Sequence, residues 1–228
     1  MTIWRTKSNS APSGDPAIHV KYSGLWLSSD RKDQATDAVS RARYMVTYVA
    51  AVVSSLPSAQ ASGAVQDYGE YYFQTGGGLG QAELDIIRPV LVLIQNGLTQ
   101  ATNVKVISGR DGTAGYVNPH ASLKKMRWTT GTKMRDRKGN LVTQRTVHRG
   151  DIHISARRLR QGIWLAAKTI IHEASHKFAS TADFGKRGYT DDDSGLFWAA
   201  GLTADEALNN AESYARFVLH VFDDECGW

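Results

Sequence analysis

Ile170-Ile171-His172-Glu173-Ala174-Ser175-His176-Lys177-Phe178 is the stretch that most restricts how this chain can fold. On a helix, residues four apart lie one above the other on the same face. His172 and His176 can therefore aim two imidazoles at one metal ion. Glu173 sits one step round, placed to hold a water beside that ion and take its proton. Two neutral nitrogens, a third ligand from elsewhere and an open position suit zinc. The preceding run, Trp164-Leu165-Ala166-Ala167-Lys168-Thr169-Ile170-Ile171, is apolar enough for a buried helix, and burial is what would hold such ligands rigid.

With 228 residues, 42% of them apolar and 21% charged, the chain can bury a real core. Its one cysteine, Cys226, excludes an intramolecular disulfide and a Cys-rich zinc site. Residues 1–14 are polar and show no signal-peptide pattern, and the apolar run 44–53 is far short of a membrane span. The expected location is the cytoplasm, or outside it by a route that reads no N-terminal signal. The net charge of +5 is unevenly spread: residues 121–160 carry 12 Lys/Arg against two Asp, and residues 181–228 carry 10 Asp/Glu against three Lys/Arg. Lys124, Arg127, Lys133, Arg135 and Arg145 mostly alternate with other residues along apparent strands, which reads as a solvated sheet face and disfavours nucleic acid as a partner.

Residues 1–29, with Ser, Pro, Gly and scattered aromatics, read as an arm on the surface of one domain spanning 30–228, helical over 30–100 and built from a sheet plus the histidine-bearing helices over 101–228. Ala38, Ala42, Met45, Val46, Val49 and Val53 recur at helical spacing within 31–55. Gly76-Gly77-Gly78-Leu79-Gly80 lacks the Lys-Ser/Thr of a phosphate loop and reads as a turn before a helix over 81–96, where Pro89 predicts a kink or break. From Asn103 the period changes to that of strands: 104–108, 122–130, 141–148 (after a hairpin turn at 136–140) and 152–155. Ile152 and Ile154 mark the last as a candidate sheet edge on which an extended peptide could pair; His153 within it reads as structural. The fold class expected is α+β, mostly helical, with a small antiparallel or mixed sheet.

A third ligand can come from three places. A His at 182 with Gly at 179 fails, since both positions are Ala. A later helix offers Glu206 and Glu212, but Thr203-Ala204-Asp205-Glu206 is a capping box that occupies Glu206, leaving Glu212. Asp183, shortly after the motif, is the other candidate.

Taken together, His172-Glu173-x-x-His176, Ser180-Thr181-Ala182-Asp183 and Asn210-Ala211-Glu212-Ser213-Tyr214 resemble, in order, the motifs of the aspzincin metalloendopeptidases, the deuterolysin and lysine-specific metallo-endopeptidase family. The resemblance covers about residues 150–220. It implies a zincin-like fold in which His172, His176 and Asp183 bind zinc and Glu173 is the general base. The family's oxyanion-stabilising tyrosine would fall on Lys186, but a small insertion at 185–188 makes Tyr189 the equivalent residue, with Tyr214 the second candidate. Asn210, Ser213 and Tyr214 would orient the ligands from behind. The implied activity is hydrolysis of internal bonds in a protein or peptide substrate. Asp191 and Asp192 could line an acidic pocket preferring Lys after the cut. A role as a delivered effector or toxin, met by an inhibitory or immunity protein, would fit the missing signal. The rival readings are a zinc amidase acting on cell-wall peptides and an inactive binding module of the same fold.

Overall fold

The computed structural model describes residues 4–9, 17–23, 29–55, 63–100, 102–108, 112–117, 133–135, 141–143 and 150–227. Helix α1 (Ser29–Ser55) is its axis. Ala35, Ala38, Val39, Ala42, Met45, Val46, Val49 and Val53 place a stripe of small and β-branched side chains on one face, all fully buried. That stripe packs against α3 (Gln81–Leu98), α5 (Ile163–Ala174) and α7 (Ala211–Cys226). Helix α2 (Gly63–Phe73) lies on α7 and buries Tyr72 and Phe73. Among the described residues no helix is long and apolar enough to cross a membrane.

α3 runs unbroken through Pro89, so the helix does not break there. Pro89 and Asp85 both face solvent, which can take up the carbonyl that proline leaves without a donor. Leu84, Ile87, Val90, Leu91 and Ile94, all buried, fix the helix to the core on both sides of it.

The sheet is mixed. Strands β1 (Trp4–Asn9), β2 (Ile18–Ser23), β3 (Thr102–Ile107), β4 (Gly115–Tyr116) and β7 (Ile152–Ser155) follow the order β1-β2-β3-β7-β4. β2, β3 and β7 are parallel, and β1 and β4 close the two sides antiparallel. The stretch read as a surface arm thus supplies two strands. The pairing that recruits them joins Ile18 to Thr102 and Val20 to Val104, contacts too distant in sequence for any local pattern to announce. A separate hairpin pairs β5 (Lys133–Arg135) with β6 (Leu141–Thr143). Its expected turn at 136–140, the expected strand at 122–130, and Lys124, Arg127 and Arg145 lie outside the described residues.

The expected edge at 152–155 is overturned. β7 is flanked by β3 on one side and β4 on the other, and Ile152, His153, Ile154 and Ser155 are all buried. The polar residues of the strand are satisfied internally. His153 stacks on Tyr116 with ring centroids 4.0 Å apart, and the Ser155 amide donates to the Ala114 carbonyl. Among the described residues the edges of the sheet are β1 and β4.

Candidate metal centre and cavity

α5 delivers His172 and Glu173, and a π-helical turn over Ser175–Ala179 continues it through His176. Such turns widen a helix locally and often occur at functional sites. Gly97 of α3 lets this turn come close: a Cβ there would stand 2.2 Å from the Phe178 ring. The turn ends at Ser180 in the left-handed region, φ 58°, a conformation that favours glycine. Replacing Ser180 with glycine should therefore stabilise the protein by about 0.5–1 kcal/mol, seen as a rise of a few degrees in Tm; a fall would mean that the serine hydroxyl contributes more than its backbone costs.

The chain leaves that turn through Thr181, whose carbonyl accepts from His176 Nδ1 at 2.8 Å and whose hydroxyl meets Ser175 Oγ at 2.7 Å. On the other histidine, Nδ1 of His172 faces Glu212 Oε2 at 3.0 Å. With both Nδ1–H groups donating outward, both Nε2 lone pairs point inward. There they meet Asp183. His172 Nε2 and His176 Nε2 are 3.2 Å apart, and each is 3.3 Å from Asp183 Oδ1. Tetrahedral zinc with ligand distances of about 2.0–2.1 Å has edges of about 3.3–3.4 Å, so this triangle fits one face of a zinc tetrahedron. His172, His176 and Asp183 form the metal-capable group of the described residues.

Asp183 is held in place from behind. The Ala182 amide donates to the Asn209 carbonyl at 2.8 Å and the Ala211 amide to the Ala182 carbonyl at 3.0 Å. Asn210 Nδ2 ties down the next loop by donating to the Gly188 carbonyl at 2.8 Å and to Ser213 Oγ at 3.0 Å. Asn210 thus fastens the segment before Tyr189 and is itself braced by Ser213, while the backbones of Asn209 and Ala211 hold the segment before Asp183. Tyr214 is elsewhere: its hydroxyl donates to the Leu208 carbonyl at 2.8 Å, deep in the core against Phe73. That geometry removes it as an oxyanion donor. Tyr189 lies at the centre, its ring stacked on His172 and its hydroxyl against Asp183. Burial, and then the Asp183 charge, push its pKa far up, which keeps it a donor.

Glu212, weighed from sequence as a rival ligand, stands behind His172 instead. It is 2% exposed and also accepts from Lys168 Nζ at 2.8 Å and Thr190 Oγ1 at 2.6 Å. Burial alone would raise its pKa, but Lys168 and His172 hold it well below the usual glutamate range. Arg216 completes the cluster by donating to Thr190 Oγ1 at 2.7 Å. Lys168, Thr190 and Arg216 were not singled out from the sequence. Lys168 did carry a signal, being one charge in an apolar helical run four residues before His172, hence on the same face.

A cavity of about 510 Å³ opens beside these residues, lined by Glu173, His172, Tyr189, Lys168, Asp192 and the edge segment 112–115 among others. Gly115 passes directly over the catalytic candidate: a Cβ there would lie 3.2 Å from Glu173 Oε1 and 2.7 Å from the His153 carbonyl oxygen. Ala114 and Ser155 form a hydrogen-bonded pair of the β4–β7 ladder, so by the alternation of antiparallel ladders Gly115 turns its own N–H and C=O outward.

The acidic pocket expected for lysine is not formed. Asp191 Oδ1 accepts from the Asp193 and Ser194 amides and from Ser194 Oγ, fastening its own loop. Asp192 lines the cavity but is engaged by Arg158 at 2.6 Å, Lys168 at 3.0 Å and Arg216 at 3.2 Å. Glu206 fills the capping box with Thr203, as expected, and pairs with Arg187.

The sequence matches no family model and no curated protein. The fold does have a counterpart among solved structures. A zinc peptidase from Grifola frondosa superposes with a TM-score of 0.57 at 14% identity, covering 87% of this chain and 98% of the other. The two share an α+β zincin-like architecture.

Proposed function

We propose that this chain is a zinc-dependent peptidase that hydrolyses internal peptide bonds. The observation that carries the reading is the inward triangle of His172 Nε2, His176 Nε2 and Asp183 Oδ1, with His172 and Glu173 on the wall of an open cavity. The shared fold with a zinc peptidase supports it. Zinc held by the three residues would polarise the scissile carbonyl and supply a water of near-neutral pKa. Glu173 takes the proton of the attacking water on its carboxylate and passes it to the leaving amine nitrogen. Burial raises the pKa of Glu173 despite the two histidines, which suits a group that must both accept and return a proton. Tyr189 donates its hydroxyl to the oxygen that gains charge. Gly115 offers its outward N–H and C=O to the substrate backbone at the β4 edge, a contact that does not depend on side-chain identity.

Metal content and proteolysis test this together. Purified wild type should hold a single zinc per chain and cut an unfolded protein such as casein, and Asp183→Ala should lose both. Zinc retained in Asp183→Ala would mean that the third ligand is another residue. Cleavage of peptidoglycan stems with casein left whole would replace the peptidase reading with an amidase.

A further inference from the structure

Two of the three carboxylates that line the cavity, Asp192 and Glu212, are already paired, and the exposed charge on the wall beside them is positive. Asp192 and Glu212 are surrounded by Arg158, Lys168 and Arg216, three cations against two carboxylates. Arg157 adds a further charge: it lines the same cavity, is exposed, and has no carboxylate partner among the described residues. Glu173 and Asp183 do not redress this balance, because they face the metal position.

Arg158 lines the same wall beside it. Its side chain is 11% exposed and its Nη1 is engaged by Asp192, yet its Nε is buried with no hydrogen-bond acceptor. A buried guanidinium N–H is seldom left without one. The local fold explains how both arginines come to be here. α4 (Ala156–Arg160) starts immediately after β7, with Ser155 Oγ accepting from the Arg158 amide at 3.0 Å, so the two side chains leave the end of a central strand into the wall that Glu173 and His172 also line.

We propose that Arg157 and Arg158 form a subsite for a carboxylate side chain, so that the enzyme prefers substrates carrying Asp or Glu beside the scissile bond. The proposal rests on the peptidase reading above. A guanidinium matches a carboxylate through paired N–H donors; Arg157 is exposed to an approaching acid, and Arg158 adds its positive charge from behind. A substrate lysine at this wall would instead meet cations of its own sign.

Four peptides identical except for Asp, Glu, Ala or Lys on either side of the cut provide the test. In wild type, kcat/KM for the acidic peptides should exceed that for the Lys peptide by about 10- to 100-fold, and the gap should shrink as salt rises. In Arg157→Glu the ratio should fall to one or below. Because it compares two substrates on one enzyme, a partly folded preparation does not distort it. Equal rates for Asp and Lys peptides in wild type, or a ratio that Arg157→Glu leaves alone, would overturn the subsite while leaving the peptidase reading intact. If neither these peptides nor casein is cut, the peptidase reading fails and the subsite with it.

Discussion

Glu173→Gln is expected to lower kcat by about 10²- to 10⁴-fold while zinc content and Tm stay at wild-type values. Glutamine keeps the shape of the side chain that lies under Gly115, so the close packing there, with a built Cβ only 3.2 Å from Oε1, is preserved. What it removes is the ability to accept a proton and return it. The wild-type pH profile provides a second readout. Burial is the first cause raising the Glu173 pKa, opposed by His172 and His176 and reinforced by Asp183 and Glu212. The group must be ionised to act as a base, so the acid limb of kcat/KM that reports its ionisation should vanish from the residual activity of Glu173→Gln. Steady-state kinetics between pH 4 and 9 would show both effects. Activity within a few-fold of wild type would exclude Glu173 as the proton carrier, whatever the metal content.

Much of this site could be read from the chain because its ligands are local. His172, Glu173 and His176 share one helix, and Asp183 follows within a turn and a short loop, so spacing alone brings their positions close. The capping box at Thr203–Glu206 and the stripes of α1 and α3 follow helical periodicity in the same way. The misreadings involve partners far apart in sequence. Ile152 and Ile154 looked like an edge because nothing near them reveals that β3 comes from fifty residues earlier and that a two-residue β4 covers the other side. Asp191 and Asp192 looked like one acidic patch. Their roles separate only when α4, α5 and α7 converge to bring Arg158, Lys168 and Arg216 onto Asp192, leaving Asp191 to brace its loop.

Substitution at Glu212 should separate a ligand from a residue that positions one. Glu212→Ala leaves Lys168 facing an empty buried position and strips Thr190 and His172 of their acceptor. Breaking a buried charge pair in this way costs about 3–5 kcal/mol, so Tm should fall by about 10 °C or more. Glu212→Gln keeps an acceptor for Lys168 and Thr190, and its stability should suffer less. Its zinc affinity should nevertheless drop by about 10- to 100-fold, because a neutral amide no longer makes the His172 imidazole as strong a donor. A ligand would behave differently, losing the metal outright in both variants. The metal-free protein adds a test with a definite sign. Burial lowers the His172 pKa, but Asp183, Glu212 and Glu173 outweigh it and raise it to about 10. A group with a raised folded-state pKa contributes stability below its unfolded value, near 6.5, and loses that contribution as pH climbs through the folded value. Metal-free wild type should therefore become less stable between about pH 6.5 and 10. Zinc should abolish that dependence, since zinc and the proton compete for the same Nε2. In Glu212→Gln the window should narrow, because one of the carboxylates that raises His172 is gone. Thermal melts in chelator across that range would decide it: a flat profile in metal-free wild type would show that His172 stays neutral without zinc and that Glu212 does not govern its charge.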